Sequence, residues 1–161
     1  KRYSAMRERV EGLRLAWSEE EAEFSGTWDS YSRSWVFPKP VNGKVPIALG
    51  NAGPLGIKHA AEYADEWAPI DVGVMNVGGK PDVIAGIQRF RNLADEAGRD
   101  GSSIPISLYV WGRPRAERLE EYAEAGVTQF IFTPVNFDLP STDETLRYLD
   151  DLTKTVEVFK S

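Results

Sequence analysis

"VPIALGNAGPLGIKHAAEYADEWAPIDVGVMNV", Val45 to Val77, decides how the rest of the chain is read. A short apolar run, Val45–Gly50, breaks at Asn51-Ala52-Gly53-Pro54 and resumes as a helical pattern over 54–66. A second apolar run, "IDVGVMNV" at 70–77, follows. Near-continuous apolar runs of this length read as buried strands. Strand, helix and strand in succession imply a parallel pair joined by a right-handed crossover.

The rhythm continues downstream. A helix is expected over 82–98, with Val83, Ile87, Phe90, Leu93 and Ala97 on one face. "IPISLYVW" (104–111) is a strand, 115–125 a helix and "TQFIFTPV" (128–135) a strand. The last helix, 142–159, carries Leu146, Leu149, Leu152, Val156 and Phe159 at helical spacing. Pro81-Asp82 and Thr142-Asp143-Glu144 open helices, and Gly98 and Gly126 close them. Four βα units thus fill 45–161. The expected fold class is α/β, with parallel βα units forming half of a (β/α)8 barrel: four strands and about five helices. A whole barrel takes about 250 residues, so half of one leaves a sheet face without a partner in this chain. The alternative is a small doubly wound domain with helices on both faces.

Upstream, Tyr3, Met6, Val10, Leu13 and Trp17 recur at helical spacing, so 1–17 holds a helix. No capping residue precedes it, and the chain opens on Lys1. It reads as starting inside or just before a helix of something larger, or as a trimmed or disordered start. Residues 18–44 form an aromatic excursion with Phe24, Trp28, Tyr31, Trp35 and Phe37, where Pro38 and Pro40 forbid a helix. So many aromatics need a partner. They cap the open end of the barrel or form a subunit interface, and the interface is favoured. The whole of 1–161 is expected to be a single partial barrel domain.

The composition, 42% hydrophobic and 27% charged over 161 residues, is that of a globular domain. A net charge of -6 argues against nucleic-acid binding, which needs a basic face. With no cysteine and one histidine, thiol catalysis, thiolate metal sites and His clusters are excluded. No apolar run nears the roughly 20 residues of a membrane helix. A cysteine-free chain fits the cytoplasm.

The turn Asn51–Leu55 is the leading candidate site. Small residues let a phosphate approach the backbone, and the first amides of the 54–66 helix then point at it. A βα turn without ligand has the same spacing. Neither a P-loop nor a GxGxxG fingerprint is present. His59 lies in the first turns of this helix, within reach of a phosphate, but reads better as a packing or solvated residue. Asp65, Glu66 and Trp67 read as surface charge beside a packed indole. Active sites of parallel barrels lie at the C-terminal strand ends. The next candidates are therefore Met75, Asn76, Trp111, Gly112, Arg113, Thr133, Pro134, Val135 and Asn136. Arg113 and Arg115 would pair with an anionic coenzyme tail or with the acidic helix 117–124. Glu19–Glu23 and Glu117–Glu124 read as solvated faces. No serine nucleophile has a base nearby in sequence, so no catalytic residue is assigned.

Several stretches, in order, resemble the luciferase-like monooxygenases, and among them the branch that uses the deazaflavin coenzyme F-420. They are "RERVEGLRLAW" with the aromatic "FSG" excursion and "FPKPV", then "PIALGNAGPLGIKHAAEYADEWAPI", "VIAGIQRFRNLADEAGRD" and "ERLEEYAEAGVTQFIF". The resemblance spans roughly 3–155. It implies an oxidoreductase or monooxygenase on a (β/α)8 barrel, of which this chain holds the half from the fourth helix to the eighth. It implies coenzyme F-420 or FMN as cofactor, its phosphate received by the loop after the fifth strand. Gly53 and Pro54 match that loop, with Asn51, Ala52 and Leu55 beside them. The first half, which supplies most ring contacts, is absent, so the chain alone is not expected to form a complete site. The partners implied are a small-molecule substrate and either the missing N-terminal half-barrel or a second copy, in a dimer or higher oligomer. A catalytically inactive half-barrel that dimerises and a small phosphate-binding domain are the alternatives.

Overall fold

The computed structural model describes residues 1–74, 82–133 and 141–157. Helix α1 spans Arg2–Ser18, with no side-chain cap at Lys1. It buries Val10, Gly12 and Ala16, whereas Leu13, expected on its apolar face, is exposed. The aromatic excursion forms an antiparallel hairpin, β1 (Ala22–Ser25) and β2 (Ser30–Ser34), that packs on α1. Gly12 allows the approach: a Cβ there would lie 3.2 Å from the Tyr31 ring and 3.3 Å from that of Phe24.

Four short parallel strands follow: β3 (Ala48–Leu49), β4 (Glu66–Trp67), β5 (Ser107–Trp111) and β6 (Gln129–Thr133). β3 pairs with β4 and β5 with β6, while the bridges Trp67–Ile106 and Ile70–Tyr109 join β4 to β5. Spatial order therefore equals chain order. A doubly wound sheet reverses its strand order at a switch point; a barrel wall does not. Helices α2 (Pro54–Tyr63), α3 (Val83–Glu96) and α4 (Ala116–Glu124) neighbour one another in the same sequence, with α1 beside α2. Ile106, Leu108 and Val110 belong to the buried core with Ile57, Ile87, Phe90 and Leu119 of these helices. Ala48, Tyr109 and Gln129 are exposed. One sheet face is covered by helices and the other is open, as in an arc of a (β/α)8 barrel.

Two boundaries differ from the sequence reading. The helix expected to reach residue 66 ends at Tyr63. The amides of Asp65 and Glu66 turn to the Ile47 carbonyl, so Glu66-Trp67 becomes the second strand. Trp67 drives this exchange: it is fully buried and stacks on Phe90 at 4.8 Å. Within the strand expected over 70–77, Asp71–Gly73 is a 3-10 turn. Met75, Asn76 and Val77 lie outside the described residues, as do Pro134, Val135, Asn136 and Phe159.

The last helix, α5, covers Thr142–Glu157. Ser141 and Glu144 form a reciprocal capping box at its start: the Glu144 carboxylate accepts from the Ser141 amide (3.0 Å) and the Ser141 hydroxyl accepts from the Glu144 amide (3.3 Å). No residue of α5 is fully buried, and Leu146 and Leu149 are half exposed.

Candidate functional site

The Asn51–Leu55 turn sits at the C-terminal end of β3 and leads straight into α2. Gly53 is the N-cap residue, with extended backbone (φ -76°, ψ 163°), and no side chain caps the helix. Pro54 occupies the first turn, where a missing N–H costs nothing. The amides of Leu55 and Gly56 lie in that same turn, where no carbonyl of the helix stands behind them. No acidic residue offsets the positive end of the helix dipole. A Cβ built on Gly53 would meet no atom within 4 Å, so open space borders these donors. Leu55 is exposed at the rim.

The inner side of the turn is fixed. The Trp67 indole N–H donates to the Asn51 carbonyl at 2.7 Å, and the Ala68 amide donates to the Leu49 carbonyl at 3.0 Å. Gly56, which the sequence reading passed over, is required for close approach: a Cβ there would fall 2.4 Å from the Asn51 Cβ and 3.2 Å from the Tyr3 hydroxyl. The Gly53-x-x-Gly56 spacing, which returns a glycine to the turn after one helical revolution, was the available signal. Ala52 faces the 71–73 turn, since a Cβ on Gly73 would lie 3.2 Å from its methyl.

That turn links the first candidate cluster to the second. The buried Asp71 carboxylate accepts from the Val72 amide (2.7 Å) and from the Trp111 amide (3.1 Å), tying the end of β4 to the end of β5. Gly112 follows with φ +85°, a conformation that favours glycine. Thr133 ends β6, where its hydroxyl donates to the Val110 carbonyl at 3.0 Å. Asn51–Leu55, Asp71–Gly73, Trp111–Gly112 and Thr133 thus line the C-terminal edge of the sheet in order.

Arg113 has another partner than the two expected. Its guanidinium pairs with Asp151 of α5 at 2.9 Å and lies over the Tyr148 ring, whose hydroxyl donates to the Gly112 carbonyl at 3.0 Å. Arg115 is the N-cap residue of α4. His59 is a packing residue, stacked on Tyr3 at 4.9 Å and edge-on to Tyr63 at 5.9 Å. Burial, with Arg7 and Lys58 adding to it, lowers its pKa. Asp65 is no idle surface charge. It accepts from the Ile47 amide and pairs with Arg14 and Lys44, pinning α1 to the strand approach. Burial alone would raise its pKa, yet these hydrogen bonds from Lys44, Ile47 and Arg14 outweigh it and hold the carboxyl at about 2. Among the described residues, no group of three or more His, Asp or Glu could hold a metal ion. No helix among them is long and apolar enough to cross a membrane.

The family described as luciferase-like monooxygenase matches residues 1–157. The chain belongs to that family. Relatives in mycobacteria include the uncharacterized protein Rv0953c of Mycobacterium tuberculosis (strain ATCC 25618 / H37Rv), 33% identical over 135 residues that cover 82% of this chain and 44% of the relative. Uncharacterized protein Mb0978c of Mycobacterium bovis (strain ATCC BAA-935 / AF2122/97) matches at the same 33% identity and coverage. The chain therefore spans less than half the length of the curated relatives it matches. Two solved structures share the luciferase-like fold. One is an F420-dependent secondary alcohol dehydrogenase in complex with an F420-acetone adduct, with TM-score 0.66 and 19% identity, covering 86% of this chain and 58% of that one. The other is the coenzyme F420-dependent tetrahydromethanopterin reductase from Methanopyrus kandleri, with TM-score 0.68 and 15% identity, covering 91% and 61%. At such identities the likeness speaks to fold: the chain is a (β/α)8 half-barrel of luciferase-like type.

Proposed function

We propose that this chain is the C-terminal half of a deazaflavin- or flavin-dependent luciferase-like oxidoreductase, and that Asn51, Ala52, Gly53, Pro54 and Leu55 receive the coenzyme phosphate. The observation that carries this reading is the uncapped start of α2: amide donors and a helix dipole open onto space that Gly53 leaves empty. The fit is to a phosphate group, because the chain offers backbone N–H donors and no competing carboxylate in the first turn. Coenzyme F-420 is favoured over FMN by the two F420-dependent proteins of like fold. When bound, such a coenzyme supplies hydride-transfer chemistry, and the protein supplies position and surroundings.

Here this chain's own residues hold the phosphate end and fix the loop edge around it. Trp67 locks Asn51, and Asp71 locks the Trp111 amide. The ring and substrate sites require the other four βα units, supplied by an N-terminal half-barrel or by a second copy of this chain. The small-molecule substrate follows from the family, as does the proposed cytoplasmic location, which the cysteine-free sequence fits.

The test is a fluorescence titration of the purified chain with coenzyme F-420 and, separately, FMN, with light scattering on the same samples. Saturable binding at micromolar Kd, about -8 kcal/mol, that is lost in Gly53→Val supports the phosphate site. A folded dimer that binds neither coenzyme refutes it and leaves the inactive, self-assembling half-barrel as the reading.

A further inference from the structure

The end of the sheet opposite the phosphate turn carries a cleft of about 690 Å³. Its wall includes Glu11 and Arg14 of α1, Lys44, Tyr63 at the end of α2, Asp65 and Arg99. The ten residues of α2 separate it from Gly53 by about 15 Å, at 1.5 Å rise per residue. It is a separate place from the candidate coenzyme turn.

Its charge is unbalanced toward cations. Asp65 is shared between Arg14 (2.8 Å) and Lys44 (2.9 Å). Arg99 spans the last carbonyls of α2, reaching Ala61 at 2.7 Å and Ala64 at 2.6 Å, and forms no ion pair among the described residues. Glu62, also on the wall, is already paired with Arg7 and Lys58. With Glu62 neutralised from outside the wall, the three cations of the wall, Arg14, Lys44 and Arg99, face two remaining carboxylates, Glu11 and Asp65, on a protein whose net charge is -6. Two hydrogen-bond donors lie enclosed behind the wall. The Tyr63 hydroxyl and the Arg14 Nε–H are closed off from solvent and have no partner.

We propose that this cleft binds a small oxyanion, a carboxylate or phosphate group at one end of a polar metabolite, between Arg14, Lys44 and Arg99. The volume lies within the range of small-molecule sites and exceeds a lone anion. An anion seated there joins α1, the approach to β3 and the end of α2, so it clamps the N-terminal edge of the sheet. Glu11 is the one carboxylate of the wall without an ion pair among the described residues, and it opposes the anion.

The test uses amide chemical shifts of the whole chain, titrated with inorganic phosphate and, separately, succinate, at constant ionic strength balanced with chloride. The expected result is saturable shifts at Ser18, Gly43, Lys44 and Tyr63 with one of the two. Lys44→Ala, at a largely exposed position, should weaken binding at least fivefold. Glu11→Gln should tighten it at least twofold. Preference for phosphate or for succinate assigns the oxyanion. Shifts that stay linear in concentration, or that neither substitution alters, overturn the proposal. Phosphate shifts confined to Gly53–Gly56 also overturn it, and they leave the coenzyme turn intact as a separate matter.

Discussion

Two glycines three residues apart, Gly53 and Gly56, do opposite things. Gly53 has ordinary extended backbone and empty space beyond it, so the fold does not require a glycine there. Gly53→Ala should leave thermal stability unchanged or raise it by a few tenths of a kcal/mol through the unfolded chain. On the proposed phosphate site it should weaken coenzyme binding at least tenfold, because the methyl would occupy the space left for the phosphate. Gly56 is held by packing, with only 2.4 Å between a built Cβ and the Asn51 Cβ. Gly56→Ala should cost about 1–3 kcal/mol in chemical denaturation. Asp65 adds a pH dependence. Its folded pKa, about 2, lies below its ordinary 3.8, so its stabilisation is fully present above pH 3.8 and is lost as pH falls toward 2. The difference is worth about 2 kcal/mol. Denaturation at pH 5, 3 and 2 should show this loss in the native chain and a flatter profile in Asp65→Asn.

At the scale of elements, burial decides which segments the domain depends on. Trp67 is wholly enclosed between sheet and α3, whereas Leu146 and Leu149 of α5 face outward. Trp67→Ala should destabilise the chain by about 3–5 kcal/mol. Leu146→Ser with Leu149→Ser should change it by about 0.5 kcal/mol or less, as surface substitutions do. Equal effects of the two changes in a denaturation series would mean that α5 is covered in solution. The elements themselves were legible from periodicity and punctuation, since Asp82 caps α3 through the Ala85 amide and Gly98 and Gly126 have φ of +77° and +107°. The end of α2 was not legible. Alanine, glutamate and tyrosine continue a helix as well as end one, and the competing Ile47 carbonyl lies 18 residues away in sequence.

For the molecule as a whole, the open face is the governing fact. Ala48, Tyr109 and Gln129 stand where a closed barrel would have its interior. An uncovered sheet face of this kind is where a second half-barrel would pack. Light scattering should give a mass of twice 18.0 kDa or more for the chain alone. Adding the N-terminal half of a luciferase-like relative should slow hydrogen exchange at Tyr109 and Ile131. A strict monomer with unchanged exchange would deny both the self-pairing and the completed barrel.

The sequence by itself determined the alternation of strands and helices, the placement of the Asn51–Leu55 turn and the family. Each depends on local periodicity, on turn residues or on the order of short motifs, all of which are read within a few residues. Only the tertiary structure decided that the strands run in chain order, that β4 begins at Glu66, and that Arg113 turns to Asp151 while Asp71 reaches Trp111. These are choices among partners tens of residues apart. The deciding terms, the burial of Trp67 and the satisfaction of backbone amides and carboxylates, exist only once the segments are brought together.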